Sequence, residues 1–269
     1  MKVVYGHTDS IYVQIESVEK VQVSIKEIER KVREHFPNVM QLDNHPVVLE
    51  FEKYYSALGV GTTKNRNAGL VSWEDGEWLD KQKFSMTGFT AKRVSETKLA
   101  KEVQTNALKM CVEQKSYPEI TKYLYEIFKS VNEGDIPISA IVKRSRLRQN
   151  RFMVKCPECN AKYHLRDCIK LKHKVCKKCA TETRQFTTLE GKKPTIGSGI
   201  AGVLYAWEKK DANFDDSYLF LKVKRVNDFY THPLTQERRD VEYLSGITYE
   251  DFKGCSPDWD FYSQQVIKK

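Results

Sequence analysis

The chain has 269 residues, of which 40% are hydrophobic and 30% are charged, and this balance excludes a globally disordered protein. No apolar run approaches the roughly 20 residues that a membrane-spanning helix needs, and the short apolar start does not form a signal peptide. We therefore expect a cytoplasmic protein with a substantial hydrophobic core and no contact with a membrane.

Positive charge is concentrated in one stretch of the chain. The net charge is +9, but residues 143–193 contain 16 Lys/Arg and 4 Asp/Glu, a local charge of 16 − 4 = +12. The remainder therefore carries 9 − 12 = −3. A basic block beside a nearly neutral remainder indicates a polyanionic partner, most simply nucleic acid, although a solvated charged surface accounts for the charge alone equally well.

The N-terminal pattern predicts a β-hairpin followed by a helix. Alternating β-forming residues between Val3 and Ile15 flank a turn at Gly6-His7-Thr8-Asp9. Apolar residues at helical spacing then predict a helix from Ser17 to Phe36, which Pro37 ends. We expect this helix to pack against the sheet that contains the hairpin.

Strands are predicted next, and helices after residue 95. The stretch Val47–Lys64 is rich in β-formers, and Trp73–Trp78 predicts a hairpin centred on Asp75-Gly76. Ser95 is the expected N-cap of a helix, and a second helix follows Pro118 and ends at Gly134. A glycine-rich linker is predicted at residues 191–202, and a last helix begins near residue 258.

Two C-x-x-C pairs predict a metal site. Cys156, Cys159, Cys176 and Cys179 form the pattern C-x₂-C-x₁₆-C-x₂-C, whose two tight turns can complete a tetrahedron of thiolates around a structural Zn²⁺. Four reduced cysteines without a metal are the alternative. The lack of an export signal argues against a disulfide framework.

The other cysteines and nearby histidines carry weaker signals. Cys168, His164 and His173 lie inside the loop as spare ligand candidates, but packing or surface positions explain them better. Cys111 and Cys255 have the pattern of ordinary core or surface cysteines. A zinc site would cross-link the segment of about residues 150–185. The basic side chains of this segment would then be exposed together as one basic knob.

The N-terminal hairpin resembles a known motif. Residues 3–13, Val-Val-Tyr-Gly-His-Thr-Asp-Ser-Ile-Tyr-Val, are similar to motif C of the family B DNA polymerases, usually written YGDTDS. Further resemblances follow in the family's order. They are the palm strand at residues 48–55, the primer-contacting motif T-K-K-R-Y-A-G at 63–69, the first thumb helix at 94–104 and the start of the last helical segment at 261–266.

The resemblance implies an α+β fold with two domains. Residues 1–94 would form the C-terminal part of a palm, an antiparallel sheet with a helix. Residues 95–269 would form a mainly helical thumb with the four-cysteine zinc module inserted at about 150–185. In such a thumb the zinc module would extend a grip on duplex DNA through phosphate contacts, and a protein-docking role for it is the rival interpretation.

The resemblance also assigns site residues. Asp9 aligns with the Asp that holds the catalytic Mg²⁺ ions, and His7 replaces the first Asp of the motif. DNA contacts are expected from basic residues in the primer-contacting motif, before the cysteines and between them: Lys64, Arg66, Arg144, Arg146, Arg148, Lys172 and Lys174. Asn65 and Asn67 replace the second Lys and the Tyr of the primer-contacting motif.

The expected function is that of the C-terminal portion of a DNA-directed DNA polymerase, which needs an N-terminal part for nucleotidyl transfer. The expected partners are primer–template DNA and that N-terminal part, with a sliding clamp as a further candidate. Both a natural split subunit, known among archaea, and a fragment of a longer gene fit this interpretation. The alternatives are a catalytically degenerate polymerase-like subunit that binds DNA or organises a replisome, and an unrelated zinc-ribbon protein that binds nucleic acid.

Overall fold

The computed structural model describes residues 2–6, 10–93, 95–210, 212–224 and 226–267, without the side chains of Gln22 and Lys172. The fold is a mixed α+β fold with several helices and small antiparallel sheets. The chain divides into two compact units. The first unit is Met1–Lys92 with Thr105–Ile120, and the second unit is Arg93–Gln104 with Thr121–Lys269. The domain boundary near residue 94 stays a prediction.

The first unit begins with a hairpin and a helix and continues with a three-stranded sheet. Its strands and helix are β1 (Lys2–Gly6), β2 (Ile11–Gln14), α1 (Val21–His35), β3 (Lys53–Val60), β4 (Asn67–Glu74) and β5 (Glu77–Thr87). Two helices, α2 (Lys98–Val112) and α3 (Tyr117–Glu133), have residues in both units.

The predicted N-terminal hairpin is confirmed by the antiparallel pairing of β1 with β2. The register shifts between Val3 and Tyr5, because Val3 pairs with Val13 whereas Tyr5 pairs with Tyr12. Val4 is therefore the extra residue of a β-bulge. The bulge places Tyr5 and Tyr12 directly opposite each other, on one face of the hairpin.

Helix α1 confirms the predicted helix, although it is shorter and its apolar stripe is only partly covered. Val21 is buried, while Ile25, Ile28 and Val32 are half-buried. The Arg33 side chain donates to the carbonyl of residue 47 at 2.9 Å, so the helix is bonded to the extended segment before β3. The packing of this helix on the hairpin sheet stays a prediction.

Strand β4 lies at the centre of the three-stranded sheet, in the order β3-β4-β5. The predicted turn is confirmed: both Asp75 (φ 52°) and Gly76 (φ 97°) have left-handed backbone conformations, as a tight hairpin turn requires. Strand β3 begins at Lys53, six residues later than the predicted strand-rich stretch. A small core forms where Ala68 and Leu70 pack with Val112.

The second unit combines short helices with three small sheets. Its remaining elements are α4 (Ile138–Ile141), β6 (Lys143–Arg146), β7 (Met153–Lys155), β8 (Lys162–His164), α5 (Leu165–Ile169), β9 (Thr187–Thr188), α6 (Ser198–Lys210), β10 (Ser217–Lys222), β11 (Phe229–Thr231), β12 (Arg238–Asp240), β13 (Tyr243–Gly246) and α7 (Trp259–Ile267). The sheets have the orders β13-β10-β6, β11-β12 and β8-β7-β9.

The helix ends confirm two predictions and correct one. Helix α3 ends at Gly134 (φ 76°), and the Asp258 carboxylate caps α7 by accepting from Phe261 N–H at 3.1 Å. The prediction that Ser95 is the N-cap of α2 is wrong. The buried Thr97 caps it instead, because its hydroxyl accepts from the N–H of Ala100 at 3.1 Å.

The predicted glycine-rich linker is wrong over its second half, where helix α6 begins at Ser198. A Cβ on Gly202 would lie 2.5 Å from Ser245 Oγ and 2.9 Å from the Tyr243 carbonyl oxygen. Glycine is therefore needed for close contact between α6 and β13 rather than for flexibility.

The core of the second unit is continuous with the cysteine module. One cluster of buried residues joins Leu204 of α6 and Leu221 of β10 with Phe152, Cys156 and Cys176. The module is therefore packed into the unit rather than attached to its surface as an independent knob. None of the helices in the described part of the chain is long and apolar enough to cross a membrane.

Candidate metal centre and nucleic-acid interface

The two C-x-x-C pairs form tight turns of the same design. In the first turn, Cys156 N–H donates to Ala161 O and Cys156 O accepts from Asn160 N–H. In the second, Cys176 makes the equivalent bonds with Thr181 and Ala180. The residue after each second cysteine, Asn160 or Ala180, has a φ between 54° and 59°, which closes each turn around its two sulfurs. The local sequence thus preorganises each pair.

The four sulfurs converge on one point. They lie within 4.8 Å of one another, and the distances Cys156–Cys179 and Cys159–Cys176 are both 3.5 Å. A tetrahedral zinc ion with Zn–S bonds of about 2.3 Å holds its sulfurs about 3.8 Å apart. The donor set and its spacing therefore fit a metal ion such as Zn²⁺. It is the only such group of potential ligands among the described residues.

Hydrogen bonds favour the thiolate form at Cys176. Burial raises the pKa of this thiol, but bonds from the Tyr163 hydroxyl, at 3.1 Å, and from the N–H groups of residues 178 and 179 outweigh burial and lower the pKa to about 6. Burial and the same hydrogen bond raise the pKa of Tyr163 to about 12. Metal binding requires thiolates, so these bonds assist it at Cys176. At Cys159 a backbone bond with Ala161 lowers the pKa, but burial and the neighbouring thiols outweigh that bond and raise the pKa to about 12. The spacing of the four cysteines in the sequence did not indicate a role for Tyr163 at this site.

Long-range hydrogen bonds attach the module to residues 234–236. The buried Thr183 hydroxyl donates to Leu234 O at 2.6 Å, and Gln236 Nε2 donates to Cys168 O at 3.2 Å. The ring of His164 stacks on Phe152 with a centroid distance of 5.9 Å. Cys168 and His164 are thus packing residues, as expected, and His173 is exposed. Of the remaining cysteines, Cys111 is exposed and Cys255 is half-buried.

Three arginines of the basic block are exposed and have no acidic partner among the described residues. Arg144, Arg146 and Arg148 are exposed, and within the described part of the chain they make no ion pair. Arg144 and Arg146 alternate along the edge strand β6, and Lys174 is exposed between the cysteine pairs. Other cations of the block do form ion pairs, including Lys143–Glu96, Arg184–Glu182 and Lys192–Glu190. The side chain of Lys172 lies outside the described residues.

The first unit brings the hairpin and residues 63–69 together. Tyr5 Oη accepts from the N–H of Asn65 at 2.8 Å and donates to Asn65 Oδ1 at 3.3 Å. Tyr12 Oη accepts from Asn67 Nδ2 at 3.4 Å. Lys64, beside these bonds, is exposed and Arg66 is half-buried. His7 and Asp9 lie outside the described residues, so their assignment to catalytic metal ions stays a proposal.

Comparison with known proteins defines the class of this chain. Residues 1–180, which are 180 of the 269, match the sequence model of DNA polymerase family B. No curated protein matches the chain. The family match covers the hairpin, the sheet of the first unit and all four cysteines.

A solved structure agrees on the fold. The family B DNA polymerase from the hyperthermophilic archaeon Pyrobaculum calidifontis is similar with a TM-score of 0.54 and 17% sequence identity, over 99% of this chain and 26% of that chain. At this identity the likeness concerns the fold. The chain belongs to DNA polymerase family B, and it spans about a quarter of that relative's length.

Proposed function

We propose that this chain is the C-terminal palm and thumb portion of a DNA-directed DNA polymerase. In this role it contributes the metal-binding carboxylate of Asp9 and a surface that grips the duplex, and it requires an N-terminal polymerase part for nucleotidyl transfer. The observation that carries the proposal is the family match over residues 1–180, which begins with the hairpin. The bonds between that hairpin and residues 63–69 support it, because primer end and catalytic metals must be close together during transfer.

Primer extension tests this proposal. When bound, Mg²⁺ would polarise the reacting phosphate and stabilise its charge, and Asp9 is the proposed ligand in this chain. One carboxylate cannot position two metal ions, so we expect no synthesis by this chain alone with Mg²⁺ or Mn²⁺. Synthesis should appear when the N-terminal part is added and should be lost in D9N. Extension by this chain alone would falsify the proposal.

We further propose a structural zinc ion at the four cysteines and a DNA grip made by the basic block around them. Support comes from the set of four sulfurs and from the exposed arginines, which make no ion pair in the described part of the chain. Each phosphate that the protein no longer neutralises should reduce the slope of log affinity against log salt concentration by about 0.9. The triple variant R144A/R146A/R148A should therefore lower the slope by up to about 2.7 and bind all duplex sequences more weakly.

A charge-matched control separates this grip from general electrostatics. Helices α2 and α3 carry Lys109, Lys122 and Lys129, which lie 3.8–4.0 Å from glutamates one turn further along. The triple variant K109A/K122A/K129A removes the same charge. It should leave the slope of log affinity against log salt concentration nearly unchanged. Equal reductions in the two triple variants would contradict a localised grip.

One alternative has a specific observation in its favour. Asn65 and Asn67, which stand where the family pattern has Lys and Tyr, both bond to tyrosines of the hairpin. A catalytically degenerate subunit that binds DNA without extending it would show this replacement of family residues. Duplex binding without any synthesis, even with the N-terminal part and H7D, would favour this alternative.

A further inference from the structure

Tyr5 and Asn65 lie 60 residues apart, yet they form two hydrogen bonds with each other. The phenol accepts from the backbone N–H and donates to the side-chain oxygen, so both the backbone and the side chain of Asn65 are fixed. Asn65 has a φ of 63°, a left-handed conformation that asparagine tolerates better than most residues. A lysine at this position would lack the acceptor oxygen that the phenol uses.

The β-bulge at Val4 is what makes this contact possible. Continued pairing in the register of Val3 with Val13 would place Tyr5 opposite Ile11. The bulge instead aligns Tyr5 with Tyr12, and their rings lie 5.4 Å apart. Tyr12 Oη meets the buried Asn67 at 3.4 Å, a longer and weaker bond. Two adjacent tyrosines of the hairpin thus bond to two asparagines of residues 63–69.

Gly88 also approaches Asn65 closely. A Cβ at Gly88 would lie 1.7 Å from the Asn65 carbonyl oxygen, and φ is 77° at this glycine. The turn at Asn65 is therefore in contact with both Tyr5 and the residue that follows β5. A bond from Gly61 N–H to Arg66 O, at 2.8 Å, closes the same turn.

We propose that Tyr5 and Asn65 are positioning residues that fix residues 63–69 relative to the hairpin strands β1 and β2, and so set where a primer 3′ end is held. The proposal rests on the proposed function, which assigns the primer contact to this segment. In this arrangement Asn65 holds the turn and does not itself contact DNA. The cations on either side of it, Lys64 and Arg66, make no ion pair among the described residues and supply the phosphate contacts.

The test compares two DNA ligands on the full chain of 269 residues. One is a primer–template with a recessed 3′ end, and the other is an uninterrupted duplex of the same length. We expect the wild type to prefer the recessed end. Y5F removes both hydrogen bonds and should reduce that preference about fivefold, which corresponds to about 0.5 kcal/mol for each exposed bond. N65G keeps the backbone N–H and allows the positive φ, so it should show a smaller reduction.

The control variant is Y125F, which removes a phenol from an exposed position on α3 and should change neither affinity. Affinity for the uninterrupted duplex should be unchanged in Y5F, which separates positioning from unfolding. A wild-type preference that survives in both Y5F and N65G would overturn the proposal. A wild type that binds both ligands equally well would also overturn the proposal. If that wild type still binds duplex DNA in a salt-dependent way, the separate proposal of a DNA grip stands.

Discussion

At the scale of single residues, His232 shows how a buried ring makes stability depend on pH. Its Nδ1 accepts from the N–H groups of Leu234 and Thr235 at 3.3 and 3.2 Å, and the residue is 8% exposed. Burial lowers the pKa of His232, and the positive charge of Arg239 lowers it further, while Glu237 opposes the shift. The neutral ring is therefore the form that the fold stabilises.

We predict that this histidine destabilises the fold in acid. Because the pKa is lower in the folded state, the unfolded chain binds more protons as the pH falls through about 6.5, and the free energy of unfolding decreases there. In H232N the amide oxygen can accept the same backbone bonds. The slope of unfolding free energy against pH should then fall by up to about 1.4 kcal/mol per pH unit.

Urea denaturation between pH 5 and pH 8 measures this slope. His164, whose pKa burial also lowers, should account for part of the slope that remains. A matched change at the exposed His35 controls for the removal of a histidine as such. An unchanged slope in H232N would show that the ring does not titrate differently in the two states.

At the scale of elements, the close contact of α6 with β13 depends on a glycine, Gly202, which has no side chain. The 2.5 Å approach of a Cβ at Gly202 to Ser245 Oγ involves a side chain that can turn, but the Tyr243 carbonyl at 2.9 Å is backbone. Alanine would therefore force the helix away from the strand. Helical propensity alone would favour alanine over glycine by about 1 kcal/mol.

We predict that G202A is destabilising despite its better helix propensity. Overpacking of this kind costs about 1–3 kcal/mol, which exceeds the gain in propensity. The control is G197A, just before the helix, where a Cβ would meet no atom of the described residues within 4 Å. Urea denaturation should show a lower midpoint for G202A than for G197A, and equal midpoints would refute the packing argument.

At the scale of the whole molecule, the four-cysteine cluster and the core of the second unit belong to one structure. Cys156 and Cys176 are almost fully buried in the cluster that contains Leu204 of α6. A metal ion bound to all four cysteines, as proposed above, would join residues on both sides of a 16-residue loop and would therefore stabilise more than the two turns that hold it.

We predict that removal of the metal loosens α6 as well as the cysteine module. C176S should reduce zinc content from about one ion per chain to none, because three thiolates leave a structural site incomplete. Hydrogen exchange should then accelerate at the amides of both the module and α6. The exposed Cys111 provides the control, since C111S should retain zinc and protection. Protection of α6 that survives in C176S would mean that the module unfolds on its own.

The sequence by itself determined the features that depend on neighbouring residues. The turn at Asp75-Gly76, the stop at Gly134 and the two cysteine turns each depend on conformations within a few positions, so their patterns could be read directly. The order of the motifs was also sufficient to indicate the family. The sequence did not allow us to predict that Thr97 rather than Ser95 is the N-cap, because helix ends shift easily by one or two residues.

Only the tertiary structure decided which distant residues meet. The bonds of Tyr5 with Asn65 and of Thr183 with Leu234 join residues 60 and 51 positions apart. Helix α6 forms through a segment whose glycines indicated a linker, since packing against β13 outweighs their low helix propensity. Such contacts depend on a bulge, a close approach or a shared core, and these arise from the packing of whole elements rather than from local sequence.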